Sequence, residues 1–503
     1  MSATETAAPR GRHSAFAEVG FKATIAESIA QICTLYLEDT SPWILGYSGG
    51  KDSTAVLQLV WLALKQLPPD QRHKTVHVIS TDTLVENPVV AAWVNNSLKT
   101  MGDAAAAQGL PIAPHRLTPE VKDSFWVNLI GKGYPAPRPK FRWCTSRMKI
   151  APSNTFIKGL VRTTGEAILV LGTRKQESIA RARVMAHHEA KRQRDLLSPN
   201  GNLPGCLVFT PVENWSTDDV WTFLMQVANP WGQTNKDLLT MYQGATADGE
   251  CPLVVDSSTP SCGDSRFGCW VCTMVEQDKS MAAMIQNDAE KAWMEPLLAF
   301  RNELDLPDDK PLRDFRRMSG IVTLHHDTLV HGPYTQVARE TWLRKLLLVQ
   351  QHVQATAPPE VQGLELITRD ELREIRRIWV VDKHEIEDRL PMVWQEVTGE
   401  PWPDGEFGDD QRFGAQELDL LRTACGGEIR FQTVRELLDI EQQHRTQVRR
   451  AGLFPALVKA LGRGGHDTEE AATAAALQQR ALTEAAAAGN LRMVRELRLA
   501  GLG

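Results

Sequence analysis

The chain has 503 residues, enough for two or three domains. Its 42% hydrophobic and 23% charged residues match an ordinary folded protein and exclude wholesale disorder. With 56 basic and 62 acidic residues the formal charge is −6, so any nucleic-acid site must be a local basic patch.

Residues 1–15 read as a disordered lead-in. Ile25, Ile29, Ile32 and Tyr36 recur at spacings of three and four and predict a helix over 16–37. The apolar run 42–47 predicts a short buried strand, followed by Ser48-Gly49-Gly50-Lys51-Asp52-Ser53 and a helix over 54–65 with Val56, Leu57, Val60 and Leu64 on one face. A second strand over 75–80 ends at Thr81-Asp82-Thr83, and a helix over 88–101 follows. Further strands are predicted at 112–117, at 167–171 running into Gly172-Thr173-Arg174, and at 206–209. Strands alternating with helices predict a parallel α/β sheet. Ligands of such sheets sit beyond the carboxyl ends of the strands, so Ser48, Asp82 and Gly172 nominate one site.

Past about residue 285 amphipathic helices dominate. They are predicted around 334–352, around 368–381 with a capping box Thr368…Glu371, and around 433–449. A turn-rich acidic loop spans 401–410, and the tail from 466 is Ala-rich and helical. The predicted organisation is a lead-in (1–15), an α/β domain (16–285), a mainly helical domain (286–465) and a helical tail (466–503). No apolar run reaches the roughly 18 residues needed to cross a bilayer, and the N-terminal segment lacks the apolar stretch of a secretory signal. No membrane contact is expected. Eight unevenly spaced cysteines are too few for a disulfide framework. The expectation is a cytoplasmic protein with metal or redox use of its thiols.

The segment Ser48–Ser53 has the chemistry of a phosphate cradle. Glycines let the backbone N–H groups approach an anion, and the following helix N-terminus adds partial positive charge. Ser48 and Ser53 can donate hydrogen bonds and Lys51 can neutralise charge. The spacing is not that of a Walker A loop. A plain glycine turn before a helix is the bland alternative.

Ser48-Gly49-Gly50-Lys51-Asp52-Ser53 resembles the S-G-G-x-D-S signature of the PP-loop ATP pyrophosphatases. The resemblance implies a Rossmann-like fold of the adenine nucleotide α-hydrolase type. It also implies cleavage of ATP between the α and β phosphates, with Mg²⁺ near Asp52. Gly172-Thr173-Arg174 and the continuation to Glu177-Ser178 and Arg181 resemble an element of the phosphoadenosine phosphosulfate (PAPS) reductase-like branch. There a glycine admits the nucleotide and arginines hold phosphate. Pro211 to Trp221 resembles a second element of that branch, which also reads as a helix start capped by Ser216. The E-C-G-[LI]-H motif of true PAPS reductases is missing, and Cys425 sits in Ala-Cys-Gly-Gly without a histidine.

Cys262, Cys269 and Cys272 are spaced C-x6-C-x2-C, a pattern in which thiolates can wrap a soft metal with one distant ligand, Cys144 or Cys251. Four-thiolate zinc is the rival reading, and chance clustering of buried cysteines the third. The PP-loop resemblance favours a [4Fe–4S] cluster on Cys144, Cys262, Cys269 and Cys272. Cys33 and Cys206, on apolar segments, are expected in the core.

Six basic residues between Lys132 and Lys149 (Lys132, Arg138, Lys140, Arg142, Arg147, Lys149) stand without an acid, with Tyr134, Phe141 and Trp143 among them. A second basic run spans 174–194. Such runs are ordinarily solvated faces. Interleaved with aromatics they also suit a phosphodiester backbone.

Over roughly residues 20–355 the chain resembles the sulfurtransferases of bacterial DNA phosphorothioation. The resemblance rests on Pro42-Trp43, Ser48–Ser53, Gly249-Glu250-Cys251-Pro252, Pro260-Ser261-Cys262, Arg266-Phe267-Gly268-Cys269-Trp270 and Gly332-Pro333-Tyr334-Thr335. It implies ATP bound on Ser48, Gly49, Gly50, Lys51, Asp52 and Ser53, with Asp82, Gly172 and Thr173 beside it. Lys51, Asp52 and Arg174 are the implied catalytic residues, and Lys140, Arg142, Lys149 and Arg181 the DNA contacts. The implied chemistry is adenylation of a DNA phosphate with release of pyrophosphate, then replacement of a non-bridging oxygen by sulfur. A cysteine desulfurase would supply the sulfur, and an SMC-like ATPase and a small DNA-binding subunit would be partners. A tRNA thiolation enzyme and a non-enzymatic nucleotide- and redox-sensing scaffold remain open as alternatives.

Overall fold

A computed structural model describes residues 14–192, 194–246, 267–359, 361–405, 415–445 and 447–500. The chain divides into two compact units. The first comprises residues up to Glu120 together with Pro139–Arg301, and the second comprises Val121–Arg138 and the chain from Asn302 onward.

In the first unit, α1 (Phe21–Glu38) leads into β1 (Trp43–Gly46), α2 (Lys51–Gln66), β2 (Val76–Thr81), α3 (Pro88–Ala107) and β3 (Ile112–Leu117). Then follow α4 (Ala151–Thr164), β4 (Ala167–Val170), α5 (Ile179–Glu189), β5 (Ser198–Pro199), β6 (Cys206–Phe209), α6 (Thr217–Gln226), α7 (Asn235–Gly244) and α8 (Lys279–Asn287). Helix α9 (Glu295–Leu304) carries the chain past the boundary between the units.

The sheet order is β3-β2-β1-β4-β6-β5, with β5 alone antiparallel. The fold is therefore a mostly parallel α/β sheet, as expected. The central strands are buried on both faces, as parallel sheets require. Trp43 and Leu45 pack into the core formed with α1 and α2, while Ile44 packs with Ile157 and Leu169 on the other side. The chain goes from β1 out to β2 and β3, then returns across β1 to β4. The carboxyl ends of β1 and β4 thus flank the topological switch point.

Several boundaries differ from the sequence expectation. Helix α2 starts at Lys51 and not at 54, because the last three residues of the phosphate loop are its first turn. Polar residues at a helix start leave no trace in apolar periodicity. Helix α1 starts at Phe21, after a turn over 15–19. Helix α3 runs on to Ala107 through an alanine run. The edge strand β5 has two residues and a proline, too short for any alternation to show.

The second unit is mainly helical: α10 (Gln336–Thr356), α11 (Arg369–Arg377), α12 (Arg389–Thr398), α13 (Ala415–Cys425), α14 (Glu428–Arg445), α15 (Leu453–Arg463), α16 (Glu469–Ala487) and α17 (Leu491–Ala500). A small hairpin pairs β7 (Leu324–His325) with β8 (Thr328–Leu329). The separate segment 121–138 is bound into this unit by two indoles: Trp126 Nε1 donates to Leu366 O at 2.6 Å, and Trp379 Nε1 donates to Ile130 O at 3.0 Å. The Thr368–Glu371 capping box is formed. Helix α11 ends at Arg377 and continues as a π-helical turn, Ile378–Asp382, where one unbroken helix had been expected. The Ala-rich tail is two helices with a turn at 488–490 between them. Among the described residues no helix is long and apolar enough to cross a membrane.

Helix α6 shows how a motif read for function also builds the fold. The Asp219 carboxylate accepts from Ser216 N (2.8 Å) at the helix start, and from Ser14 Oγ (2.5 Å) and Ala15 N (2.9 Å) in the N-terminal segment. Ser216 returns the bond by accepting from Asp219 N at 3.0 Å. Asp219→Ala should lower stability by about 2 kcal/mol, read as a lower denaturation midpoint at unchanged m-value.

Candidate active site

The phosphate loop is stapled by its own serines. Ser53 Oγ donates to Gly50 O (3.0 Å) and accepts from Ser48 N (3.2 Å), with the two hydroxyls 3.2 Å apart. Gly49 lies at φ +74°, where an L side chain is strained, and a Cβ there would meet Val94 at 2.5 Å. Trp93 Nε1 donates to Gly49 O at 3.1 Å. Tyr242 supports the loop from beneath: its hydroxyl accepts from Lys51 N at 3.4 Å, and the Lys51 ammonium lies 5.5 Å from the ring centroid. Burial pushes the Tyr242 phenol up, so the ring stays neutral. Sequence reading missed Trp93 and Tyr242, since each lies on an ordinary-looking helix.

Across the switch point, Arg174 is 2% exposed. Its Nε donates to Asp52 Oδ1 at 2.7 Å, and its terminal nitrogens reach Trp215 O (3.2 Å) and Thr217 Oγ1 (3.3 Å). Lys51 takes the other Asp52 oxygen at 3.2 Å. In this arrangement Arg174 holds the loop, and each Asp52 oxygen has a cationic partner. Gly172 makes the close approach its motif requires, but the neighbour is protein backbone. A Cβ would lie 2.8 Å from Asp52 C and O and 3.1 Å from Ser53 N.

A cavity of about 800 Å³ opens at the carboxyl ends of the strands, within the usual range for small-molecule sites. Ser48, Gly49, Gly50 and Asp82 all line it, together with Glu86, Arg116, Lys149 and Asn202. Asp82 is held by Arg116 at 2.5 Å and accepts from Leu84 N at 2.7 Å. Lys51, Asp52, Ser53, Gly172 and Arg174 form the support behind this lining, with Thr173 in the same loop. The site fits ATP in size and in its glycine-rich helix start.

The thiols lie at the same end of the sheet. Residues 268–270 run antiparallel to 85–87: Trp270 N donates to Val85 O (2.9 Å) and Asn87 N to Gly268 O (3.2 Å). This sets Cys269 Sγ 3.3 Å from Thr83 Oγ1 and 3.8 Å from Glu86 Oε1. The C-x-x-C turn closes with Cys272 N donating to Cys269 O at 3.0 Å. Buried Arg301, missed in the sequence, donates to Cys272 O (2.9 Å) and Glu276 O (3.0 Å). Burial pushes the Cys269 thiol up to about 12 and raises that of Cys144, and the Cys272 sulfur acts on both. Cys144, Cys269 and Cys272 thus share one locality. Among the described residues no three His, Cys, Asp or Glu side chains are arranged to hold a metal ion. Cys262 and Cys251 lie outside the described residues. Cys206 is in the core; Cys33 is half-buried against it.

The basic runs are divided. Lys132 and Arg138 belong to the second unit, where Lys132 Nζ bonds Asn128 Oδ1 (3.2 Å) and Arg138 pairs with Asp309 (2.8 Å). Lys140 and Arg142 are exposed on the first unit. Lys149 pairs with Glu86 at 3.4 Å, and Cys269 and Glu86 hold it in its charged form. In the second run, Lys175, Arg181, Arg192 and Arg194 all have carboxylate partners, Arg181 pairing with Glu177 at 3.3 Å. Much of what reads as a cationic face is internal ion pairing.

Gly172→Ala should push the β4 loop off the start of α2. Overpacking against backbone costs about 1–3 kcal/mol, and the loop serines should lose register. The expected outcome is a lower denaturation midpoint together with weakened binding of a non-hydrolysable ATP analogue, measured by calorimetry.

Residues 42–232 match the family model of the phosphoadenosine phosphosulfate reductase domain. Among curated proteins, the chain is 25% identical over 269 residues to uncharacterized protein MJ0066 of Methanocaldococcus jannaschii, a stretch that is 53% of this chain. The chain spans only 43% of that relative's length. Solved structures with distant likeness include FMN adenylyltransferase of Candida glabrata with FMN and the ATP analogue AMPCPP (14% identity, TM-score 0.24, 40% of this chain and 56% of that one). Another is the U34-tRNA thiolase NcsA of Methanococcus maripaludis with its [4Fe-4S] cluster (13% identity, TM-score 0.27, 57% of this chain and 81% of that one). The stapled loop, the Asp52–Arg174 pair and the switch point all lie inside residues 42–232, the segment that is similar to the phosphoadenosine phosphosulfate reductase domain.

Proposed function

We propose that the protein is an ATP-dependent sulfurtransferase of the DndC type, which places sulfur on a DNA backbone phosphate. One observation carries the reading: the phosphate loop and the immediate neighbours of Cys269 line a common cavity. Ser48–Gly50 form one wall, and Glu86 and Lys149, which flank Cys269, belong to another. A site that only hydrolysed or sensed nucleotide has no use for thiols at that place.

ATP lies with its phosphates on the loop and the start of α2. A non-bridging oxygen of a DNA phosphodiester attacks the α-phosphorus. The α–β bond breaks, and pyrophosphate leaves with the electron pair. Sulfur at the sulfide level then attacks the DNA phosphorus, and the adenylated oxygen departs with AMP. One P–O bond is exchanged for one P–S bond with no change of oxidation state at phosphorus. Lys51 and the loop N–H groups stabilise charge on the leaving pyrophosphate. Arg174 keeps Asp52 and the loop in place. Lys140, Arg142, Lys149 and Arg181 are the DNA contacts in this reading, and of these Lys149 lines the cavity. The cluster is assigned to Cys144, Cys262, Cys269 and Cys272. Cysteine desulfurase, SMC-like ATPase and small DNA-binding subunit are the proposed partners.

The deciding measurement supplies ATP, sulfide and either DNA or tRNA, then digests the product for mass spectrometry. Sulfur in a nuclease-resistant dinucleotide supports the reading; sulfur on a tRNA base replaces it with a tRNA thiolase. Asp52→Asn and Ser53→Ala should each lower pyrophosphate release on the order of 10²-fold. Asparagine is the informative change, because it removes the charge but keeps an acceptor oxygen for Arg174, which alanine would also remove.

For the thiols, Cys269→Ser and Cys272→Ser should each lose most of the iron of anaerobically purified protein, since a hydroxyl is a poor substitute for a soft thiolate. Cys33→Ser should keep it. Full zinc occupancy without iron would favour a structural metal.

A further inference from the structure

The second unit holds a cavity of about 190 Å³, separate from the site above. Its walls come from the 314–320 loop, the start of α10 at Thr335 and Gln336, residues 382–385 after the π-helical turn, and parts of α14 and α15. Four carboxylates line it, and each already has a cation. Asp314 pairs with Arg316 at 2.7 Å and Asp382 with Arg377 at 3.0 Å. Glu385 pairs with Arg339, and Glu436 with Arg463.

Donors are left over. Among the described residues Lys383 Nζ has neither a hydrogen bond nor an ion pair, though it lines the cavity. Arg435 is 4% exposed. One terminal nitrogen is held by Glu387 at 2.6 Å, while its Nε is buried without an acceptor. The start of a 21-residue helix, α10, faces the same space with its positive end. Burial, with Arg339 adding repulsion, pushes Lys383 down to about 8. Arg435 is charge-paired with Glu387, and Lys383 feels Glu385, Asp314 and Asp382, but among the described residues the Lys383 Nζ and Arg435 Nε hydrogens have no acceptor, and an anion in the void would supply one.

We propose that this cavity binds a small tetrahedral oxyanion of the phosphate or sulfate class, held by Lys383, Arg435 and the start of α10. The volume corresponds to about six waters at ~30 Å³ each. It is below the roughly 300 Å³ at which small-molecule sites begin, so a free ion or one terminal phosphate fits and a whole nucleotide does not. The proposal rests on the second unit alone and stands or falls apart from the sulfurtransferase reading.

The test uses the full chain, with inorganic sulfate and phosphate as probes in calorimetry and thermal unfolding at constant ionic strength. Wild type should bind and melt higher. Lys383→Gln should lose roughly tenfold or more in affinity, the effect of one charge-assisted hydrogen bond. Its melting temperature without anion should be unchanged or higher, because an unpartnered cation is gone. Unchanged affinity with a lower anion-free melting temperature would make Lys383 structural and overturn the proposal. Lys51→Ala should bind sulfate as wild type does; loss there would put the anion on the Ser48–Ser53 loop and likewise overturn it.

Sulfate keeps its charge over the relevant range, so its affinity should fall as pH rises through about 8 and Lys383 deprotonates. Tyr334, pushed up to about 12 by burial, stays neutral there. His384, which faces Asp439 at 2.6 Å and Glu436 at 3.7 Å, is controlled by His384→Gln. The other charged groups acting on Lys383 are Arg339, Glu385, Asp314 and Asp382. A pH-independent affinity would remove Lys383 as a ligand. Adenosine monophosphate competing through Lys383 would identify a terminal phosphate as the source of the oxyanion, and failure to compete a free ion.

Discussion

A guanidinium taken out of water must find charge and hydrogen-bond acceptors or the fold around it fails. Arg174 meets that condition through Asp52, Trp215 O and Thr217, and in doing so it joins three separate stretches of chain. The loop after β1, the loop after β4 and the start of α6 all converge on one planar group. The sheet brings β1 and β4 side by side, and Gly172 removes the side chain that would keep their loops apart. The nucleotide loop therefore owes its shape to a contact behind it as much as to its own glycines. Sequence resemblance implied a catalytic role for Arg174. Its burial and its bond to Asp52 also give it a hold on the loop.

The thiol region is built on a different principle. The C-x-x-C turn has little regular structure of its own. It is fixed by two backbone hydrogen bonds to 85–87 and by Arg301, whose guanidinium collects carbonyls from Cys272, Val275 and Glu276. A cationic side chain gathering carbonyl oxygens stiffens the turn without using a thiol. The sulfur of Cys269 instead meets Thr83 and Glu86, and that carboxylate and Lys149 also border the cavity.

Much of the first unit was legible in the sequence because its signals are local. Buried parallel strands are continuous apolar runs, and β4 and β6 fall where those runs predict. The phosphate loop announces itself through residue types that only an anion cradle needs together. What stayed hidden is set by tertiary contact. Nothing near Trp93, Tyr242 or Arg301 marks them as supports of a site far away in sequence. In the second basic run a linear count of charge likewise does not show that Arg181, Arg192 and Arg194 have carboxylate partners. The helical tail read correctly as helix, because alanine propensity is local.

The second unit is assembled from two stretches of chain separated by more than 160 residues of the first. Its early stretch, 121–138, contributes Phe125, Trp126, Leu129 and Ile130, all essentially buried. Trp126 needs Leu366 and Ile130 needs Trp379. During synthesis these apolar side chains leave the ribosome long before the helices that cover them exist. Until those helices arrive, these side chains lack their native cover. The early stretch must wait through translation of the nucleotide and thiol site before it is covered, so completion of the helical unit comes last. A growing chain of this design is vulnerable to sticking and degradation throughout that interval, which ties the fate of the first unit to the arrival of the C-terminal helices.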